Sequence, residues 1–319
     1  MKRALLIIQL DYFNYSTFIK EELERRSYTV TALNDQYPIH TLAKLMGKLG
    51  SKKIFTSTTK TIQSKLLSSE SFDLVLIIRG RSISRACVSY LRSMLNETGK
   101  LVAYNWDSFQ LNSAPLNWLD LTDYFGTFDV KDAQNYQLPL IELFAASFPD
   151  PIPSKDIACS ALISNHSNRL VFLDKVLQQI DQDNIFIYLY EKNWVRFCIN
   201  FIKSPRLYLK YRKQVHFKPL PYNIFLEKLA RSVFTIDFAH PYQTGLTMRC
   251  FEAAACKTRI ITNNSYILES PNLGNASILL DASNKESRFA FQEKISSSRG
   301  QLPNYVTRDI QHFMDDLLQ

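Results

Sequence analysis

An α/β protein of two Rossmann-like domains facing across a cleft is what this 319-residue sequence predicts. Three observations carry that expectation. Short apolar, β-branched runs alternate with segments of helical length in both halves of the chain. Several of these runs are almost continuously hydrophobic, the pattern of parallel strands covered on both faces. A break with three prolines, FPDPIPSKD at residues 148–156, separates the halves, because neither helix nor sheet continues easily through it.

In the first half ALLIIQL (4–10), YTVTAL (28–33), FDLVLIIRG (72–80) and KLVAYNW (100–106) read as strands. YSTFIKEELERRS (15–27) and SISRACVSYLRSMLNETGK (82–100) carry helical periodicity, the second closed by Gly99 as a helix end. Right-handed crossovers turn this β-α-β-α pattern into an open parallel sheet with helices on both sides. QLDYFNYS stands where a G-x-G-x-x-G loop would follow the first strand, so no dinucleotide is expected on this half.

After the break the alternation restarts with IACSALIS (157–164), a helix over 169–180, IFIYLY (185–190) and a basic helical stretch through Arg212. VFTIDF (233–238), the helix MRCFEAAAC, the strand RIITNN and SILLDA (277–282) follow, and VTRDIQHFMDDLLQ reads as an amphipathic terminal helix. The expected domains are therefore 1–150 and 151–300, with a terminal helix in 301–319. Ligands of open α/β sheets bind outside the strands' carboxyl ends, so the inter-domain cleft is the expected site.

Hydrophobic residues at 46% and charged residues at 21% match soluble globular chains, so the whole sequence is expected to fold. The apolar run after MKR ends at Asp11, too short for a secretion signal, and no run approaches the ~20 residues of a membrane span. A cytoplasmic protein is expected. Five scattered cysteines without a C-x-x-C pair indicate neither a disulfide framework nor a zinc site. DQD at 181–183 matches the D-x-D of metal-dependent transferases, but it falls between a helix and a strand at the sheet's amino edge, and no metal is expected. The net charge of +8 suits anionic partners or a basic, solvated surface.

The most informative stretch is TIDFAHPYQTGLTMRCFEAAACKTRIITNN (235–264). Thr244 reads as a helix N-cap and Gly245 as a point where backbone approaches a ligand closely. Free N–H groups at the helix start would favour a phosphate, with Arg249 adding charge and Glu252 accepting from sugar hydroxyls. An ordinary loop and helix with an Arg249–Glu252 ion pair fits the same spacing. Asp107, Asp129 and Asp132 fall near strand carboxyl ends, placed to orient acceptor hydroxyls, act as a general base, or cap turns. SNHSNR (164–169) leaves a strand for a helix, so its backbone and Arg169 could face a phosphate or simply turn the chain, and His166 is open to both readings. WVRFCINFIKSPRLYLKYRKQVHFK (194–218) fits an anionic membrane surface or an ordinary solvated helix, and nucleic acid is not expected as its partner.

QTGLTMRCFEAAACKTRIITNN resembles the C-terminal-domain motif of GT-B glycosyltransferases. With Glu252 on the second Glu of that family's E-x7-E signature, the first falls on Thr244 and the following Gly on Gly245. YNWDS (104–108), DYFGTFDVKDAQNYQLP (123–139) and SNHSNRLVFL (164–173) precede it in the order found in bacterial lipopolysaccharide and capsule glycosyltransferases. The resemblance implies a GT-B architecture, a nucleotide-sugar substrate with no cofactor or metal, and a glycan or glycolipid acceptor at the cytoplasmic membrane face. It implies a donor site of Arg169, Thr244, Gly245, Leu246, Thr247, Arg249 and Glu252, the last reading the ribose. Thr244 departs from the signature, leaving His240 and Gln243, with Asp107, as the catalytic candidates. The same departure motivates the alternative of a non-catalytic binding or scaffold protein with GT-B architecture.

Overall fold

The computed structural model describes residues 2–10, 15–67, 70–150, 152, 154–164, 169–180, 184–280, 285–298 and 300–319. The chain divides into two compact units: Met1–Ala146 with Tyr242–Gly245 and Asp309–Gln319, and Ser147–Pro241 with Leu246–Arg308.

The first unit is built from β1 (Lys2–Ile7), α1 (Tyr15–Arg25), β2 (Tyr28–Leu33), α2 (Thr41–Lys48), α3 (Lys52–Lys65), β3 (Phe72–Ile78), α4 (Arg85–Ser93), β4 (Leu95–Asn105), β5 (Tyr124–Thr127) and α5 (Val130–Tyr136). Its five strands pair in the order β2-β1-β3-β4-β5, all in parallel. The apolar runs explain the central strands, since Ala4 to Ile8 and Val75 to Ile78 have no exposed surface and suit a sheet covered on both faces. Ser84 caps α4 by accepting from the Cys87 N–H at 3.1 Å.

The expected helix over 82–100 ends at Ser93, and Gly99 lies inside β4 instead of closing a helix. The chain re-enters the sheet at once because Leu95 pairs with Phe72 and Lys100 with Leu74, a register break absorbing the residues between. Glycine is needed there because a Cβ would meet the Phe72 carbonyl oxygen at 2.7 Å.

The second unit contains β6 (Ile157–Ser164), α6 (Arg169–Leu177), β7 (Ile185–Tyr190), α7 (Trp194–Lys203), α8 (Pro205–Lys210), β8 (Val215–His216), α9 (Tyr222–Ala230), β9 (Ser232–Asp237), α10 (Met248–Ala255), β10 (Arg259–Thr262), β11 (Ile278–Leu279) and α11 (Lys285–Ser298). Its parallel sheet has the order β11-β10-β9-β6-β7-β8. Numbered within the unit, this is the 3-2-1-4-5-6 order of dinucleotide-binding sheets. Of the expected strand at 277–282, Ile278–Leu279 form β11 while residues 281–282 lie outside the described residues, and β8 has too few residues to leave a hydrophobic run in the sequence.

Near the end of the proline break, the Lys155 ammonium donates to the carbonyls of Ala230 (2.7 Å) and Cys256 (3.0 Å) and to Thr258 Oγ1 (3.0 Å). Burial lowers its pKa to about 8. This side chain ties together the segments that lead into β6, β9 and β10.

The terminal segment is helical over α12 (Ile310–Leu317), which belongs to the first unit. Asp309 starts it by accepting from the His312 N–H at 2.9 Å. Ile310, Phe313, Met314 and Leu317 form its buried stripe, Phe313 lying edge-on to Tyr104 with ring centres 5.0 Å apart. Removing such a ring, as in Phe313→Ala, costs about 3–5 kcal/mol.

Candidate functional site

Doubly wound sheets bind ligands where the strand order reverses, outside the carboxyl ends of the strands. In the second unit that point lies between β6 and β9. Arg169, the first residue of α6, holds its guanidinium 5.7 Å over the ring of Phe238, the first residue past β9. Asn263, just past β10, steadies the same loop by accepting from the Ala239 N–H at 2.9 Å. Asn264 accepts from the Tyr266 N–H at 3.1 Å and begins a short 3-10 turn, so the Thr-Asn-Asn run serves to turn the chain and brace the loop. Residues 165–168, including His166, and the DQD at 181–183 lie outside the described residues.

The N-cap of α10 is Thr247, not Thr244. Its hydroxyl donates to Asp237 Oδ1 at 2.7 Å, joining the helix start to the last residue of β9. The Thr247 side chain caps none of the helix's own amides, so the positive end of α10 opens at the carboxyl edge of the sheet. Leu246 before it is buried.

Arg249 and Glu252 each meet α9. The Arg249 guanidinium stacks 5.7 Å over the Phe225 ring. Glu252, only 3% exposed, lies beside the Tyr222 phenol of α9. Burial, and then the Glu252 carboxylate, push that phenol far above its ordinary pKa. The phenol therefore stays protonated at any physiological pH.

Thr244 and Gly245 stand elsewhere, in the part of the loop that belongs to the first unit. Their amides donate to Asp129 Oδ2 at 2.6 and 3.3 Å, and the Thr244 hydroxyl donates to Asp129 Oδ1 at 2.7 Å. Asp129 also caps α5 by accepting from the Asp132 N–H at 3.2 Å. The close backbone approach that requires Gly245 is to Phe128, whose carbonyl oxygen would lie 2.5 Å from a Cβ. The two amides expected at the start of α10 thus face a carboxylate of the chain itself.

The first unit reverses its strand order between β1 and β3, and a pocket of about 110 Å³ lies there. Gln9, Asn34, Asp35, Gln36, Ile39, Arg79 and Arg81 line it. Asp35, almost wholly buried, takes the Arg79 guanidinium through two bonds of 2.8 Å. Arg79 adopts a left-handed backbone (φ 69°), a conformation that bulky residues reach only at a cost. Arg81 pairs with the half-buried Asp107 at 3.2 Å. Near Asp107, Asp132 accepts from the Phe109 N–H at 2.7 Å. Burial, with a smaller contribution from the neighbouring Asp129 charge, raises the Asp132 pKa to about 6. A carboxyl group with that value exchanges protons near neutral pH.

The structure therefore brings Arg169 and Thr247 to the carboxyl edge of one sheet and Asp107 to that of the other. His240 and Gln243, both half-buried, fall on either side of the division between units. Phe238, Asp237 and Tyr222 were not singled out from the sequence. Asp237 carried a signal, as an acid closing an otherwise apolar strand, whereas Tyr222 had none.

Among the described residues, no group of three or more His, Cys, Asp or Glu is placed to hold a metal ion, and no helix is long and apolar enough to cross a membrane.

No protein-family model and no curated protein matches the chain. Solved structures do. HepE from Anabaena in complex with UDP-glucose superposes with a TM-score of 0.59 at 9% identity, covering 100% of this chain and 98% of that one. UDP-GlcNAc 2-epimerase from Methanocaldococcus jannaschii gives 0.54 at 13% identity over 100% and 98%. A glycosyltransferase from Rickettsia africae gives 0.52 at 12% identity over 99% and 97%. The likeness establishes the fold class, an α/β chain of two Rossmann-like units with GT-B architecture.

Proposed function

We propose that this chain is a glycosyltransferase that moves a sugar from a nucleotide-sugar donor to a bacterial surface glycan, of the lipopolysaccharide or capsule type, at the cytoplasmic face of the membrane. The observation that carries the reading is the reversal point of the second sheet, where Arg169, the ring of Phe238 and the start of α10 converge on the carboxyl edge. An arginine and an uncapped helix start favour a diphosphate, and an aromatic face favours a base or sugar ring. The UDP-glucose in HepE supports a uridine nucleotide as the donor's carrier. The charge that develops on the leaving diphosphate is stabilised by Arg169 and the α10 dipole, without a metal. Glu252 of α10, beside Tyr222, reads the ribose or holds the helix that does.

On the first unit the acceptor hydroxyl is activated near Asp107 and Asp132, and burial raises the Asp132 pKa to about 6. His240 and Gln243 remain the residues to test for contact with the donor sugar, because Thr244 is committed to Asp129.

That commitment also favours a second reading, a non-catalytic binding protein of the same architecture. Calorimetric titration with nucleoside diphosphates and their sugars separates the two. Micromolar binding of one nucleotide, weakened in Arg169→Ala and Glu252→Gln, is expected of the transferase. Binding of none of them would falsify the transferase reading, and conversion of a UDP-sugar to its epimer without an acceptor would replace it by an epimerase.

A further inference from the structure

Helix α7 is apolar on more of its surface than the fold uses. Its inward residues are Phe197, Asn200 and Phe201, at the three- and four-residue spacing of one face, and both rings pack on the core of the second unit. Asn200 donates to both oxygens of the buried Glu191 carboxylate at 3.1 and 3.2 Å, and the Tyr208 hydroxyl of α8 donates to the same group. That anchoring is complete without the outer face. Yet Val195 (70% exposed), Ile199 (49%) and Ile202 (77%) stand outward in a stripe along the helix, and Trp194 (66%), stacked on Phe217 with ring centres 4.4 Å apart, borders it. Leu209 on α8 continues the exposed apolar surface.

The charges around this stripe have one sign. Arg196, Lys203, Arg206, Arg212 and Lys213 are exposed beside it, and the run from Lys192 to Lys218 contains no Asp or Glu. Lys210 is partly engaged, 2.6 Å from Asp174. An apolar stripe bordered by cations matches a surface with an anionic outer layer over hydrocarbon. A second copy of a chain carrying +8 is a poorer match for the same patch.

We infer that α7 and α8 form the docking surface of this protein for an anionic lipid bilayer, with Trp194, Val195, Ile199 and Ile202 entering the headgroup boundary and the flanking cations meeting lipid phosphates. Because α7 starts four residues past the end of β7 and is fixed there through Glu191, docking turns the carboxyl edge of the second sheet toward the lipid surface. The orientation has meaning for catalysis only under the transferase reading. The docking itself does not depend on it.

Flotation with vesicles tests the inference. The wild-type chain is expected to float with phosphatidylglycerol–phosphatidylcholine vesicles and not with phosphatidylcholine alone, and to be released by salt. Ile199→Glu and Ile202→Glu, both at exposed positions that leave the core untouched, are expected to abolish flotation. Arg206→Gln lowers the partition coefficient by roughly fivefold, the effect of one cation at an anionic surface. The inference is overturned if wild-type protein does not float, if it floats equally with neutral vesicles, or if Ile202→Glu floats as well as wild type. It is also overturned if sedimentation reveals a dimer that Ile202→Glu dissolves, since a second copy would then cover the stripe. Nucleotide titration of the same samples keeps the two readings apart: lost flotation with retained nucleotide binding removes only docking, and the converse removes only the transferase.

Discussion

At the reversal point of the first sheet, between β1 and β3, the chain answers its own charge: Asp35 closes on Arg79 through two bonds and Arg81 leans on Asp107. At the reversal point of the second sheet, between β6 and β9, Arg169 lies over an aromatic ring beside the uncapped start of a helix. Two sheets of related winding thus place arginine at the same topological position for different ends. In the first unit the guanidinium holds the strand ends together, and in the second it faces the edge where the donor is proposed to bind. Topology marks where a site can form, and the local charge balance decides whether it recognises an anion.

The largest effect expected from this contrast is on stability. Asp35→Ala leaves the Arg79 guanidinium buried without its carboxylate, and a loss of about 3–5 kcal/mol is expected in chemical denaturation. A loss below about 1 kcal/mol would show that Gln9 and the solvent suffice for Arg79.

Arg169→Ala should behave in the opposite manner. Stability falls by only about 0.5–1 kcal/mol, the worth of an accessible cation–π contact, while nucleotide affinity falls roughly tenfold to a hundredfold. Calorimetry and denaturation on one preparation measure both, and equal losses of affinity in Arg169→Ala and Arg79→Ala would erase the distinction between the two points.

A third test uses pH. Asp132 has a raised pKa of about 6 in the folded chain, against about 3.9 for an unperturbed aspartate. The folded state therefore binds more protons between these values, and stability falls as pH rises from about 4 to about 6. Asp132→Asn is expected to flatten that part of the curve of Tm against pH. A wild-type Tm that climbs steadily through the same window without altering in the variant would place the carboxyl in a wetter setting.

The smallest effect is expected at the helix start of the second unit. Thr247→Val removes the hydroxyl that joins α10 to Asp237 and should cost about 1 kcal/mol. Nucleotide affinity should fall with it, because the helix start loses its register with the strand end.

The alternation that specifies both sheets was legible because β1, β3 and β6 are largely buried and β7 is apolar along its length, and periodicity is a local property. The boundaries were less so. Nothing in SISRACVSYLRSMLNETGK marks the return to the sheet at Leu95, which is fixed by pairing with Phe72, a residue outside the segment. Thr244 looked like the cap of α10 because it stands at the right distance before a helix-forming run. Its actual partner, Asp129, is 115 residues away, and no local pattern encodes that contact. Arg249 and Glu252 likewise have the spacing of a pair on one helix, yet their partners sit on α9. The residue types of the candidate site were thus readable from sequence, and their partners required the tertiary structure.

Lys155 suggests how the second unit could be recut. By gathering the carbonyls of Ala230 and Cys256 and the hydroxyl of Thr258, it clamps the entrances of three neighbouring strands at the end opposite the candidate site. Alignment of those strands is thereby set independently of the loops that leave them. A graft that replaces the loop between β9 and α10 with one of different length and chemistry should leave the sheet in register, so ligand preference in this scaffold is open to redesign by loop exchange, with Lys155 kept as the fixed point.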